Sequence, residues 1–440
     1  LEHPDEIRFV AVAEPDAGRR ERFAARHNIA PENRFTGWEE LFARPQYGAA
    51  ALICTQDWQH TAPAVAAMQA GYAVLLEKPM ATRAEECVRL VQESERSGLP
   101  LHICHVLRYT GHFQKIKSIL QSGVLGDVID VAHRENVSYY HMAHSYVRGN
   151  WRNQSQSSPM IVAKCCHDFD ILLWLLGQHC QAMSSFGELT HFCPENAPAG
   201  APEYCLDGCP ASQTCLYYAP FIYQDLTPLW RSFAETANGL ERALVQNYLR
   251  RPGLMRAAGR VTPPLRTLTE YRGWPVSVVT SDPANGNLLA ALRKGPYGRC
   301  VYHCDNDVVD HQVVAMQFDA GTTVTLTMQG HSHTEYRTTR IEGTRGRLTA
   351  EFGLGGSWVV VDDHRSDSRT RYDTTYRAGS SHGGGDAGLM AAFVRSLRGD
   401  ASASLSTARM ALESHLMAFA AEQARQEGRV IGASEWNCEE

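Results

Sequence analysis

Residues 71–80 read Gly-Tyr-Ala-Val-Leu-Leu-Glu-Lys-Pro-Met, and no other stretch narrows the fold as far. The apolar run 72–76 has no polar alternation and is too short for a free-standing helix. It fits a strand buried on both faces, which a parallel sheet covered by helices provides. The run stops at Glu77-Lys78-Pro79. Pro79 has no N–H, so it ends the strand and fixes the turn that carries Lys78. A charged pair at the carboxyl end of a buried parallel strand lies where open α/β sheets bind ligands. Residues 49–55, Ala-Ala-Ala-Leu-Ile-Cys-Thr, repeat the strand pattern one crossover earlier, and Gln56-Asp57-Trp58-Gln59-His60-Thr61 and an Ala-rich helix follow. Thr55 to His60 and Glu77 to Lys78 therefore close two successive strand ends on one sheet edge. Taken alone, Glu-Lys-Pro describes an ordinary surface loop; the paired strand end upstream turns it into a candidate site.

The remainder of the first 108 residues repeats the same alternation. Residues 7–14 read as a strand and 17–27 as a helix capped by Asp16. Residues 83–97 form an amphipathic helix ended by Gly98 and Pro100, and 101–106 a last strand. An acid at the end of the second strand of a dinucleotide fold binds ribose hydroxyls. Glu14 stands there and predicts NAD over NADP, with Arg19 and Arg20 close enough to weaken the preference; a plain surface acid is the competing account. No Gly-x-Gly-x-x-Gly turn precedes residue 7, and residues 1–6 read as the tail of a helix. The expectation is an incomplete Rossmann-type domain short of about 20 to 30 residues, one strand–turn–helix, with an internal strand missing and weak NAD binding.

From residue 109 the pattern changes. A helix through Phe113, Ile116 and Leu120 leads into alternating runs at 128–140, 310–318, 322–330, 336–342 and 358–362, separated by Gly-bearing turns. These predict an α+β domain over 109–430 built on a large, mostly antiparallel open sheet, flanked by helices near 160–176 and 402–427. Residues 221–300, rich in Pro, Gly and Arg, read as an irregular insertion. On the first of these helices, His167 shares a face with Ala163, Lys164, Asp170 and Ile171. A His, a Lys and two Asp on an otherwise apolar helix are costly unless paired or used. The plain account is a satisfied polar cluster in which Lys164 bridges Asp168. Cys205-x3-Cys209-x5-Cys215, with Cys193 or His191 upstream, is a candidate structural zinc set. Its spacing departs from paired Cys-x-x-Cys knuckles, so loop thiols are the competing account. Cys54 and Cys104 read as buried strand thiols, and Cys165-Cys166 as buried helix residues.

Thr55, His60 and Glu77-Lys78-Pro79 resemble the glucose–fructose oxidoreductase / inositol dehydrogenase / rhizopine-catabolism (Gfo/Idh/MocA) family, which carries Thr-Pro-x-x-x-His and Glu-Lys-Pro segments at this spacing. Gln56 replaces the usual Pro. The helix at 160–177 resembles the family's Asp-x-x-x-His-Asp-x-Asp helix, with Ala163 in place of the first Asp. The likeness covers nearly the whole chain outside 221–300, including Ser414-His415 and Glu422 in the tail. It implies a nicotinamide cofactor held by Glu14, Thr55, Asp57, His60, Glu77, Lys78, Arg108, Trp151 and Arg152. Lys78 and His167 become the catalytic pair. Tyr140, His141, Arg148 and Lys164 offer hydroxyl, imidazole, guanidinium and ammonium groups to a polyol or sugar acid. Hydride passes to the cofactor while a base takes the hydroxyl proton; an imidazole with an ordinary pKa near 6.5 suits that task.

The reading is thus an NAD(P)-dependent dehydrogenase acting on a sugar, inositol or sugar-derivative alcohol. Two alternatives are a glycoside-cleaving enzyme that uses transient oxidation and a non-catalytic dinucleotide or sugar sensor. The net charge of −6 leaves no basic footprint for nucleic acid. No run of 18 apolar residues offers a membrane span. Thirteen cysteines with apolar neighbours fit a reduced, cytoplasmic protein. The open sheet face implies a homo-oligomer, since relatives associate through it.

Overall fold

The computed structural model describes residues 6–237, 239–282, 287–353, 356–376, 381–400 and 406–436. Most of the expected helix tail at 1–6, and 402–405 of the late helix, lie outside these residues. The first lobe runs β1 (Val12–Ala13), α1 (Ala17–His27), β2 (Arg34–Phe35), α2 (Trp38–Phe42), β3 (Ala50–Ile53), α3 (Thr61–Gln69), β4 (Ala73–Leu76), α4 (Ala84–Ser97) and β5 (Leu101–Ile103). Asp16 caps α1 by accepting the Arg19 N–H at 2.7 Å. The strand read over 7–14 contracts to two residues. All strand pairs here are parallel, but they fall into two separate sheets, β1–β2 and β3–β4–β5. Each residue of β4 is buried, as its unbroken apolar run requires. β3 is an edge strand, and its Leu52 is exposed.

The second lobe opens with α5 (Gly111–Gln121) and β6 (Val128–Ser138), which passes directly into a helical turn α6 (Tyr139–His141) and a π-helical turn over Met142–Arg148. Then come α7 (Met160–Leu176) and β7 (Cys180–Glu188). The insertion is not irregular. It forms short helices α8 (Ala219–Tyr223), α9 (Thr227–Thr236), α10 (Gly239–Arg250), α11 (Pro252–Val261), α12 (Pro263–Thr269), α13 (Val276–Val279) and α14 (Asn287–Lys294). The prolines that made the stretch look broken start helices: Pro220, Pro228 and Pro252 stand in the first turn, where a missing N–H costs nothing. Strands β8 (His311–Phe318), β9 (Thr323–Ser332), β10 (Tyr336–Gly343), β11 (Gly346–Gly353), β12 (Trp358–Asp363) and β13 (Arg369–Asp373) follow, then α15 (Gly385–Leu397), α16 (Ala408–Glu427) and β14 (Ile431–Gly432).

Among the described residues, nine strands of this lobe form one sheet in the order β13-β12-β11-β10-β6-β9-β8-β7-β14, antiparallel throughout except for the parallel pair β6–β9. Strict alternation builds it: along β8, Gln312, Val314, Met316 and Phe318 are buried and their neighbours exposed. Helices α7 and α16 pack on one another, α7 against β6 and α16 against β7. Alanines at 411, 418, 420, 421 and 424 let α16 bury nearly all round between the sheet and α4. No helix among the described residues is long and apolar enough to cross a membrane.

Candidate active site

The loop after β4 is fixed from three sides. The N–H of Glu77 donates to the Ile53 carbonyl at 3.0 Å, tying the ends of β3 and β4 together. The buried His60 ring lies between the Pro79 carbonyl (2.7 Å) and the Thr55 carbonyl (3.2 Å), so it braces both loops. The Met80 N–H donates to His415 Nε2 on α16 at 3.0 Å. The Lys78–Pro79 peptide is cis. Held this way, Lys78 extends its Nζ across to α7 and donates to the Ala163 carbonyl at 2.9 Å, one helical turn before His167.

One flank of α7 meets imidazoles from the first lobe. His167 Nδ1 lies 3.4 Å from His105 Nδ1, and His105 Nε2 lies 3.7 Å from Asp170 Oδ1. Arg108 grips Asp170 with two bonds of 2.7 and 2.6 Å. The His415 ring stands 5.2 Å from that of His105. Burial, then the Lys78 charge and His105, hold His167 well below the ordinary histidine range. His105 is lowered by burial, Arg108 and Lys78, and burial takes His415 to about 3. All three imidazoles are therefore neutral near pH 7. Burial raises the Asp170 carboxyl, against the pull of Arg108.

The other flank of α7 rests on charges from the sheet. Lys164 Nζ pairs with Glu335 at 2.6 Å and Glu135 at 3.1 Å. Arg337 Nε pairs with Asp168 at 2.7 Å and Glu135 at 2.9 Å. His133 Nε2 meets Asp168 at 2.9 Å, and His141 Nδ1 meets Glu335 at 2.8 Å. Lys164 thus pairs with Glu335 and Glu135, and Asp168 with His133 and Arg337; the expected Lys164–Asp168 bridge does not form. Burial alone would raise Asp168, but Arg337 and His133 reverse that and hold it well below the carboxylate range. Burial also works against Glu335, which His141 and Lys164 hold low. Burial pushes Glu135 up, against the pull of Arg337 and Lys164.

The other anticipated residues divide into groups. Asp57 is buried and accepts Trp151 Nε1 at 2.7 Å and Ser157 Oγ at 3.4 Å, so these two residues bind each other across the lobes. Thr55 is exposed, Glu77 is half-buried, and Glu14 accepts the Asp16 N–H at 2.8 Å. Arg152 pairs with Asp305 at 3.0 Å. Tyr140 is buried, and Trp274 of the insertion lies over it and over His141, with ring centres 6.1 and 5.2 Å apart. Two arginines differ from expectation. Arg108 commits its guanidinium to Asp170. Arg148 is fully buried and turned into the insertion, donating to the Arg299 and Tyr217 carbonyls at 2.7 Å each, so it does not face the cleft. Cys54, expected as a buried strand thiol, is exposed just past β3, which ends at Ile53, two residues short of the expected run. Cys193 faces the Thr190 carbonyl at 3.2 Å, away from the other three thiols. Among the described residues no three His, Cys, Asp or Glu side chains stand at metal-ligand distance around one point.

Sequence reasoning missed Glu135, Glu335, Arg337, His133 and Trp274, while the resemblance already places the segment from His105 to Tyr109 near the nicotinamide. The usable signal was an acid or base on the inward register of a buried strand, as at Glu135 in β6. Two family models match the chain. One is the Gfo/Idh/MocA model described as "Oxidoreductase family, NAD-binding Rossmann fold", over residues 1–105. The other is its partner, "Oxidoreductase family, C-terminal alpha/beta domain", over 117–216. Residues 1–105 and 117–216 thus carry the two domains of the Gfo/Idh/MocA oxidoreductase family. Among curated Gfo/Idh/MocA-like proteins, it is 28% identical over 172 residues to the putative oxidoreductase YteT of Bacillus subtilis, covering 38% of this chain and 40% of that protein. It is 33% identical over 131 residues to inositol 2-dehydrogenase 2 of Saccharopolyspora erythraea, covering 29% and 35%. The match thus spans less than half the length of these curated relatives. A crystal structure of an oxidoreductase from Agrobacterium radiobacter in complex with NAD+, L-tartaric acid and magnesium superposes with a TM-score of 0.62 at 12% identity. That superposition covers 97% of this chain and 91% of that one, and it establishes a shared fold.

Proposed function

We propose that this chain oxidises, or in reverse forms, a secondary alcohol on a sugar, inositol or sugar derivative with NAD as hydride acceptor. The observation that carries the reading is Lys78 reaching α7 one turn from a neutral His167. The donor set at the carboxyl ends of β3 and β4 fits a nicotinamide ribose: the Thr55 hydroxyl, the Glu77 carboxylate and the Lys78 ammonium. Glu14 would take the adenosine ribose hydroxyls and disfavour a 2′-phosphate. The bound nicotinamide supplies the two-electron chemistry.

The residues of the chain do the rest. Lys78 donates to the substrate oxygen and stabilises the negative charge that develops there. His167 takes the hydroxyl proton on Nε2, which requires its N–H to sit on Nδ1. The charge near the imidazole chain favours that tautomer: Asp170 Oδ1 lies 3.7 Å from His105 Nε2, beyond hydrogen-bond reach but close enough to favour an N–H there, which leaves His105 Nδ1 to accept from His167 Nδ1 at 3.4 Å. An imidazolium beside Lys78 is costly, so His167 returns the proton quickly, and depression of its pKa extends the working range toward acid. His141, Lys164 and Glu335 offer paired polar groups to the substrate hydroxyls.

The test is a panel of polyols and sugar acids with NAD, followed by NADH absorbance. Lys78→Ala and His167→Asn should each lower kcat by about 100-fold or more. Full turnover in Lys78→Ala would remove the assignment. Self-association through the outer sheet face is part of the same proposal. Phe186 of β7 (70% exposed) lies opposite Val313 of β8 in register, with Ile129 of β6 also exposed. Phe186→Lys should lower the mass measured by light scattering.

A further inference from the structure

We propose that Cys205, Cys209, Cys215 and Cys300 form a tetrathiolate site for one divalent metal ion, zinc by its chemistry, with Arg148 as its charge partner. The proposal does not depend on the dehydrogenase reading. The fold brings together two segments far apart in sequence. The Cys205 N–H donates to the Gly298 carbonyl at 2.9 Å and the Cys300 N–H to Glu203 at 2.7 Å, around an antiparallel bridge between Tyr204 and Arg299. In that register Cys205 and Cys300 both point away from the side occupied by Tyr204 and Arg299, onto one face. The chain then turns back on itself: the Cys215 N–H donates to the Ala211 carbonyl at 2.8 Å and the Ser212 N–H to Cys209 at 3.2 Å. All four cysteines wall one cavity of about 10 Å³, with no carboxylate or imidazole in the wall. That space suits a single ion and is too small for an iron–sulfur cube. All-sulfur donors select a thiophilic metal.

The independent observation is Arg148. Its guanidinium lines the same cavity and is fully buried, yet among the described residues no carboxylate pairs with it. Nη2 donates to Cys205 Sγ at 3.5 Å, and Nη1 has no partner. A buried cation left beside neutral thiols is costly; beside metal-bound thiolates, which together carry net negative charge, it is compensated. Binding needs each thiol to rotate inward by its own side-chain torsion. Four S–H protons leave to solvent and four metal–sulfur bonds form, with no redox change. Cys300 takes the place that spacing alone assigned to Cys193. The site ties the root of the insertion to Arg148, the last residue of the π-helical turn whose neighbours His141 and His144 underlie Trp274.

The test uses the whole chain purified without chelator. Elemental analysis should give about one zinc per chain, falling below about a tenth in Cys209→Ser and Cys300→Ser, while Cys193→Ser and Cys304→Ser keep it. Cobalt exchanged into the folded wild-type chain should show sulfur-to-metal charge transfer and the intense visible bands of a tetrahedral tetrathiolate. This spectrum supports the site even where the serine variants fold poorly. Arg148→Met should lose its metal to a chelator about tenfold faster. Metal-free wild type, zinc retained in Cys300→Ser, iron with acid-labile sulfide, or a Cys205–Cys300 disulfide would each overturn the proposal.

Discussion

Arg337 and Arg148 both carry a guanidinium out of water, and their surroundings answer it in opposite ways. Beneath α7, Arg337 meets Asp168 and Glu135 within 3 Å, inside a lattice that also holds Lys164, Glu335 and His133. At the insertion root, Arg148 meets two main-chain carbonyls, a sulfur and the ring of Tyr223, but no carboxylate among the described residues. The first region is balanced by its own side chains, so its stability is built in. The second has a surplus positive charge, and its stability depends on an anion that the thiols become only on binding metal.

Acidification should break both regions together, and this is the largest effect expected. His112, His144 and His415 are lowered to about 3 by burial, and His102 to about 4. Below about pH 6.5 the unfolded chain takes up protons that these native imidazoles refuse. Stability is therefore full above that pH and drains as pH falls toward 3, at roughly 1.4 kcal/mol per group per pH unit. Denaturant midpoints measured from pH 7 to 4 should fall steeply; a flat profile would contradict the burial.

Arg337→Ala should rank next. It takes one cationic partner from each of the buried carboxylates Asp168 and Glu135, leaving His133 and Lys164 as their remaining partners, and should cost roughly 3 kcal/mol in chemical unfolding. Arg148→Met sharpens the contrast: it should cost about 1–3 kcal/mol in the zinc-loaded chain and far less, or nothing, after chelation. Equal losses from Arg148→Met with and without metal would erase the distinction between the regions. Lys78→Ala should change stability least, by under about 1 kcal/mol, because its bond to Ala163 is a single contact at a half-exposed side chain.

The parts of the fold that sequence declared are those whose periodicity has one explanation. β4 is an unbroken apolar run, α7 keeps a helical period for four turns and more, and β8 alternates without error. The catalytic candidates at Lys78 and His167 stood out because charge interrupts those patterns. The lattice under α7 did not stand out: Glu335 and Arg337 flank a strand start and look like ordinary edge residues until β10 pairs with β6 beside Glu135. The 128–140 run has the pattern of a strand throughout, yet the chain turns helical after Ser138, since Tyr and His tolerate either state. Cys300 was invisible as a neighbour of Cys205 because a chain reversal through seven helices separates them.

Lys78 is steadied on α7 by a main-chain oxygen, not by a side group. The ammonium therefore depends on the helix backbone and not on the side chain of residue 163, which is itself packed into the core. Ala163→Ser should leave the lysine aimed, while a bulky residue at this buried position has to displace its packed neighbours.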